Sequence, residues 1–203
     1  MCHAASWSRW LPGVLIALIL FAFTAPVINA KSQKPTEAAE YKIKAIYIYK
    51  FLLFTQWPAS NAVDQGTKEN DLSVDDKTIT IGILGKDPFK ESFSEVEGRF
   101  IKKINKRLVI KRFGDYSEKI DLNQCHLLFI CESEKKNLKV ILDRIKGKPI
   151  LTVGDMENFV ETGGMINLVM VGNKVRWEIN HTQIKECGLR LSSQLLRTAL
   201  KVK

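Results

Sequence analysis

Few residues in this 203-residue chain have the type and spacing that reaction chemistry needs. Beyond residue 30 there are two histidines, His126 and His181, and neither sits in a metal-ligand spacing such as HxxxH. His126 lies inside an apolar run, where a packed, hydrogen-bonded imidazole is the expected role. No GxSxG elbow is present. Cys131 ends an apolar run just ahead of an expected helix, and a helix N-terminus can lower a thiol pKa, so Cys131 is the one candidate nucleophile. Gly85-Lys86-Asp87-Pro88 also joins a strand to a helix, a place where anions can bind. It lacks the GxGxxG and GxxxxGK patterns, and Asp87 would repel phosphate, so it reads as a capping turn. No cofactor and no metal is expected.

Three cysteines, Cys125, Cys131 and Cys187, lie beyond residue 30. Cys125 and Cys131 flank HLLFI; on one strand they would be ~20 Å apart, beyond disulfide reach. A bridge within the chain therefore joins Cys187 to Cys125 or to Cys131, and the alternative is buried free thiols.

The elements that must position these residues alternate. Glu40–Phe54 reads as a helix ending before Trp57-Pro58, with Ile43, Ile46, Tyr47 and Phe54 in one stripe; its late part is apolar nearly all round, which fits a deeply sandwiched helix or, as the alternative, a second apolar face for another protein. Residues 59–77 read as a surface loop. Strands are expected at Thr78–Leu84, Leu108–Phe113, Cys125–Cys131 and Ile150–Val153. Helices are expected at Pro88–Val96, from a Ser133 cap to Ile145, from Asn180 to Cys187, and at Ser193–Lys201 behind a Ser192 cap. Met156–Glu161 has room for one or two helical turns. This alternation implies a three-layer α/β/α fold, with a mostly parallel sheet of about six strands ending in an antiparallel hairpin.

That hairpin can be paired residue by residue. Gly172-Asn173 is a two-residue turn, which sets Val171 against Lys174, Met170 against Val175, Leu168 against Trp177 and Ile166 against Ile179. Ile166, Leu168, Met170, Val175, Trp177 and Ile179 then share a dry face. Asn167, Val169, Val171, Lys174, Arg176, Glu178 and Asn180 share a mixed one. A one-residue slip would bury Glu178 and expose Trp177, so the register is firmly specified. The mixed face offers a recognition patch of Arg176 and Glu178, with Ile184 and Arg190 nearby after the chain turns.

Residues 1–30 read as a secretory signal. Arg9 is the only charged side chain among them, Leu11–Ala25 is apolar but short of the ~20 residues of a spanning helix, and Ala30 is a suitable cleavage position. The remaining residues, 31–203, form a single domain. The whole chain carries a formal charge of +9. Export argues against nucleic acid as the partner, leaving an anionic membrane surface, an acidic protein or a merely solvated surface.

YKIKAIYIYKFLLFTQWP (41–58), ITIGILGKDPF (79–89), CHLLFI (125–130) and ILTVGDMENFVETGGMINLVM…VRWEIN…GLRLSSQLLR resemble the YfiR-like periplasmic proteins over nearly the whole of residues 40–201. The resemblance implies an exported, often dimeric α/β domain that is not an enzyme. It implies binding to the periplasmic part of an inner-membrane diguanylate cyclase, which is held inactive so that cyclic di-GMP falls. Some relatives carry a first-strand cysteine that bridges to the one before the third strand; Thr78–Leu84 has none, so Cys125 lacks that partner. A second reading is a small-molecule-binding protein feeding a sensor kinase or transporter. Its crevice would lie at the strand carboxyl ends near Gly85–Pro88, Glu132-Ser133 and Gly154-Asp155. A thiol enzyme using Cys131 is the third.

Overall fold

The computed structural model describes residues 36–58 and 77–203. The expected leader, 1–30, lies outside the described residues, as does the expected loop except Lys77. Helix α1 (Glu37–Leu53) is capped by Thr36, whose Oγ1 accepts from Ala39 N at 3.4 Å. Glu37 and Glu40 stand in its first turn and Lys50 in its last, each opposing the helix dipole at its end. Strands β1 (Thr55–Gln56), β2 (Thr78–Leu84), β3 (Phe100–Ile101), β4 (Lys106–Gly114) and β5 (Leu127–Ile130) follow. Then come α2 (Leu138–Arg144), β6 (Leu151–Gly154), β7 (Ile166–Val171), β8 (Lys174–Ile179) and α3 (His181–Glu186). The chain closes with β9 (Arg190–Leu191), α4 (Ser193–Arg197) and β10 (Lys201–Val202).

Eight strands form one sheet in the order β10-β8-β7-β6-β5-β2-β4-β3. Only the β7–β8 and β3–β4 pairs are antiparallel. All four residues of β5 are buried, and they alternate between two cores: Leu127 and Phe129 join one cluster, Leu128 and Ile130 the other. A strand that is apolar on both faces must be covered on both, and the fold is accordingly α/β in three layers. One layer holds α1, α3 and α4, through Phe51, Ile184 and Leu195; the other holds α2, through Leu138 and Ile141. β1 and β9 make a separate antiparallel pair.

The hairpin register is the expected one at every pair from Ile166↔Ile179 to Val171↔Lys174, with Gly172 at φ +58°. Trp177 is buried between Tyr47 and Phe51, at centroid distances of 4.9 and 5.7 Å, and its Nε1 donates to Leu195 O at 3.3 Å.

Other expectations are corrected. The sheet has eight strands rather than six, and the hairpin is not its edge, because β10 adds in parallel outside β8. The expected helix Ser193–Lys201 stops at Arg197: Leu200 N and Lys203 N instead donate to Trp177 O and Ile179 O, both at 2.8 Å. Pro88–Val96 makes only a 3₁₀ turn, Lys90–Phe93. Ser133 does not cap a helix, since its Oγ accepts from Lys86 N at 2.9 Å and α2 starts at Leu138. Residues 156–161 form turns rather than a helix, wrapped on Phe159, whose ring lies where a Cβ on Gly154 or Gly164 would be.

The inward stripe of α1 is also different. Ile43 and Ile46 are 37% and 49% exposed, while Lys44, Ala45, Ile48, Phe51 and Leu52 face the core. A lysine replaces two isoleucines inside because a buried carboxylate awaits it.

Candidate functional site

That carboxylate is Asp155, directly after β6. Its Oδ2 accepts from Lys44 Nζ at 2.7 Å and from the Tyr41 hydroxyl at 2.9 Å. Lys44 also reaches Glu40 Oε1 at 2.7 Å. The Lys44 and Asp155 side chains are 5% and 2% exposed, so this is a buried ion pair. Burial, then Asp155, hold the Tyr41 hydroxyl well above its ordinary pKa, so it stays a donor. Asp155 Oδ1 is buried with no hydrogen-bond partner among the described residues. The network pins the first half of α1 to the end of β6. Nothing in the sequence near Lys44 signals it, beyond a lysine in an apolar helix.

The strand order turns back at β2, whose neighbours are β4 and β5, so the crevice of the small-molecule reading would open beyond Gly85 and Cys131. Beside Gly85 itself the chain fills its own space with Ser133, Cys131 and Glu134. A Cβ on Gly85 would strike Ser133 Oγ, and Gly85 takes φ +103°. The buried Glu134 accepts from Tyr116 N at 3.2 Å and Asn137 Nδ2 at 2.8 Å. Asp87 accepts from Phe89 N at 2.7 Å and from Arg112 Nε at 2.9 Å.

Cys131 does not have the chemistry of a nucleophile. Burial first, then Asp155, Asp87 and Glu134, push its thiol up to about 12, so little thiolate exists near neutrality. His126 lies at the opposite end of β5, roughly 16 Å away at strand rise, and cannot serve it as a base. It is occupied in any case: Nδ1 accepts from Thr80 N at 3.1 Å and its carbonyl accepts from Trp57 Nε1 at 3.3 Å. Burial, then Lys106, bring its pKa down to about 4. His181 is the first residue of α3, its pKa lowered by burial and Lys185. Among the described residues no group of three His, Cys, Asp or Glu could hold a metal.

Of the two alternatives for Cys187, a bridge to Cys125 or Cys131 or buried free thiols, the structure has the second: Cys125, Cys131 and Cys187 are all buried and free. Cys125 packs in the α2-side core and Cys187 in the α1-side core, so the sheet stands between them. Gly82 on β2 faces Cys125 so closely that a Cβ there would collide with its Sγ.

The structure divides the predicted recognition patch. Arg176 and Glu178 are half-buried on the hairpin face opposite Trp177, away from the α1 layer. Ile184 is fully buried in the α1-side core, a correction: it holds α3 down and touches nothing outside. Arg190 is exposed, but on β9 in the α1 layer, paired with Gln56. Arg176 and Glu178 therefore stay together and Arg190 is separated from them. In its place stand residues the sequence did not single out. Lys201 of β10 aligns with Glu178 and reaches Glu161 Oε1 at 3.1 Å. Asn167 aligns with Glu178 from the other side. On this face Asn167 Oδ1 and Arg176 Nε are both buried without a partner among the described residues, while Arg176 Nη2 reaches Thr198 O at 3.5 Å.

The geometry thus defines a three-layer α/β domain with a buried Lys44–Asp155 pair on one side of the sheet and the half-buried Arg176 and Glu178 on the other. A family model described as YfiR/HmsC-like matches residues 41–200, and the chain belongs to that family. The family is one of periplasmic regulators of cyclic di-GMP signalling. No curated protein matches the chain. Among solved structures, it is similar to an ABC domain in complex with L-Trp from Streptococcus pneumoniae, at 13% identity and a TM-score of 0.47 over 62% of this chain and 55% of that one. It is also similar to a conserved domain protein from Vibrio cholerae, at 14% identity and a TM-score of 0.41 over 61% and 54%. The chain spans about half the length of each.

Proposed function

We propose that the chain is exported, loses its leader after Ala30, and binds the periplasmic part of an inner-membrane signalling protein. In this reading the partner is a diguanylate cyclase, binding holds it inactive, and cyclic di-GMP falls; the working form is a homodimer. The observation that carries the reading is the outer hairpin face. Arg176 and Glu178, each half-buried, are held by a fixed register, with Lys201 aligned beside Glu178. Charged groups of both signs fixed on one rigid strand give a partner a defined electrostatic pattern to match. The exposed Arg190 is a second contact on the α1 layer.

Deleting the gene should raise cellular cyclic di-GMP, and the wild-type chain should restore it. Arg176→Ala and Glu178→Ala should restore it poorly while melting within a few degrees of wild type. An unchanged level on deletion, with no membrane protein co-purifying, would sink the reading.

A second reading, small-molecule binding, is favoured by a groove of about 910 Å³ between α1 and residues 86–96, lined by Ala38, Ala45, Ile46, Tyr49, Phe89 and Phe93 among others. A thermal-shift screen against periplasmic metabolites tests it; no shift across the screen removes it.

A further inference from the structure

Residues 98–114 contain seven basic side chains and no acidic one. They form β3, β4 and the turn between them, at one edge of the sheet. Arg112 pairs with Asp87 at 2.9 Å and Glu97 at 3.6 Å, and Lys111 donates to Gln124 at 2.6 Å. The other five, Arg99, Lys102, Lys103, Lys106 and Arg107, gather round the turn, and all but the half-buried Lys106 are exposed. The turn is firmly rooted. Ile101 is buried in the α1-side core, Ile104 packs against it, Asn105 takes φ +55°, Lys103 Nζ lies 4.1 Å from the Phe54 ring centroid, and Arg107 Nη1 donates to Gly98 O at 2.6 Å. Among these charges Phe100 is 54% exposed, directly across from Arg107.

Lysines on an edge strand deter edge-to-edge pairing, and that alone would explain the charge. It does not explain the phenylalanine, which works against the same purpose. An exposed aromatic ring set in a cluster of cations has the chemistry of a surface that meets anionic lipid: the ring enters the interface while the cations lie among the headgroups. We propose that the β3–β4 edge is a docking surface for an anionic phospholipid bilayer. It holds the domain reversibly at the membrane, and it does not depend on which protein the domain regulates. No helix of the described residues is long and apolar enough to cross a membrane, so the contact is peripheral.

The test is co-sedimentation of the exported chain with lipid vesicles. Wild type should pellet with phosphatidylcholine vesicles containing about one-third phosphatidylglycerol, stay free of pure phosphatidylcholine, and be released by about 0.5 M salt. Arg99→Gln/Lys102→Gln/Lys103→Gln should lower the partition coefficient roughly a hundredfold, about fivefold per charge. Phe100→Ser should lower it about tenfold. Lys135→Gln/Lys136→Gln/Lys139→Gln, an equal loss of charge at the start of α2 and just before it, should change it far less. The proposal is overturned if wild type ignores anionic vesicles, if it binds both lipids alike, or if the two triple variants lose binding equally. It is also overturned, in favour of an acidic protein on this edge, if vesicles are ignored while the first triple variant loses repression in cells. Repression abolished by Arg176→Ala with vesicle binding intact leaves it standing.

Discussion

Replacing Lys44 with methionine tests the network that sets α1 in place. Met has nearly the length and volume of Lys, so packing along the stem survives and the change is in charge. In the native chain Asp155 Oδ2 receives two donors, Lys44 and Tyr41, and the side chain is 2% exposed. Lys44→Met leaves a buried carboxylate with the Tyr41 hydroxyl as its one remaining donor among the described residues. Stranding one member of a buried pair costs about 3–5 kcal/mol. Asp155→Asn is milder, because Lys44 keeps Glu40 at 2.7 Å and the amide oxygen can still accept from Tyr41; about 1–2 kcal/mol is expected. The double variant Lys44→Met/Asp155→Leu removes both members of the buried pair and leaves only the more exposed Glu40 without its cation. It should therefore be more stable than Lys44→Met alone, a coupling of opposite sign to simple addition. Urea unfolding followed by far-ultraviolet circular dichroism, applied to these three variants and to Asp155→Leu, gives the four free energies. A loss below about 1 kcal/mol in Lys44→Met, or a double variant at or beyond the sum of its parts, would refute the claim that a buried ion pair anchors the helix.

His126 should make stability depend on acid. Its folded pKa of about 4 lies below the ordinary 6.5, so the unfolded chain binds the extra proton first: the contribution is complete above pH 6.5 and is lost as pH falls towards 4. The loss amounts to roughly 3 kcal/mol, and His126→Asn, which can still accept from Thr80 N, should flatten this part of a melting-temperature profile. Gly82→Ala should cost about 1–3 kcal/mol by urea unfolding, because its Cβ meets Cys125 Sγ and Phe113, and adding Cys125→Ala should recover part of the loss. Trp177→Phe should cost about 1–3 kcal/mol through the lost bond to Leu195 O, and Trp177→Ala about 3–5, both read from denaturation midpoints.

What the sequence allowed to be read was local, and what it hid was not. The hairpin register follows from Gly172-Asn173 and a period of two, both within fifteen residues of chain. β2 was legible to the residue because a run of seven apolar or β-branched positions is bounded by charge and glycine. By contrast β3 and β10 have two residues each, too few for any period, and exist only because a longer neighbour offers an edge. The inner face of α1 is offset by one position from the apolar pattern: Lys44 rather than Ile43 points inward because Asp155, 111 residues on, supplies the counter-charge. Ile184 is near Arg190 in the chain but not beside it on the surface, because a six-residue helix with one fully apolar position turns that position to the core. Arg176 and Glu178 were legible because alternation alone sets them opposite Trp177. Asn167 and Lys201 were not, since each acquires its role from a neighbouring strand.

The sheet order gives the two surfaces a spatial relation that can itself be tested. β4 and β8 are five strand intervals apart, or about 24 Å at the usual ~4.8 Å spacing. A domain resting by its β3–β4 edge on lipid would hold the hairpin away from the bilayer by about that distance, out of reach of headgroups and at the height of a partner's folded periplasmic domain. The two contacts share no residue, and the rigid sheet between them gives neither a means of altering the other's geometry. Losses of binding free energy from the basic turn and from Arg176 should therefore add in a double variant, within about 0.5 kcal/mol. Measuring repression or partner affinity on membranes for the two single variants and their combination decides it: a combined loss well short of the sum would place both groups on one interface and contradict the separation that the strand order imposes.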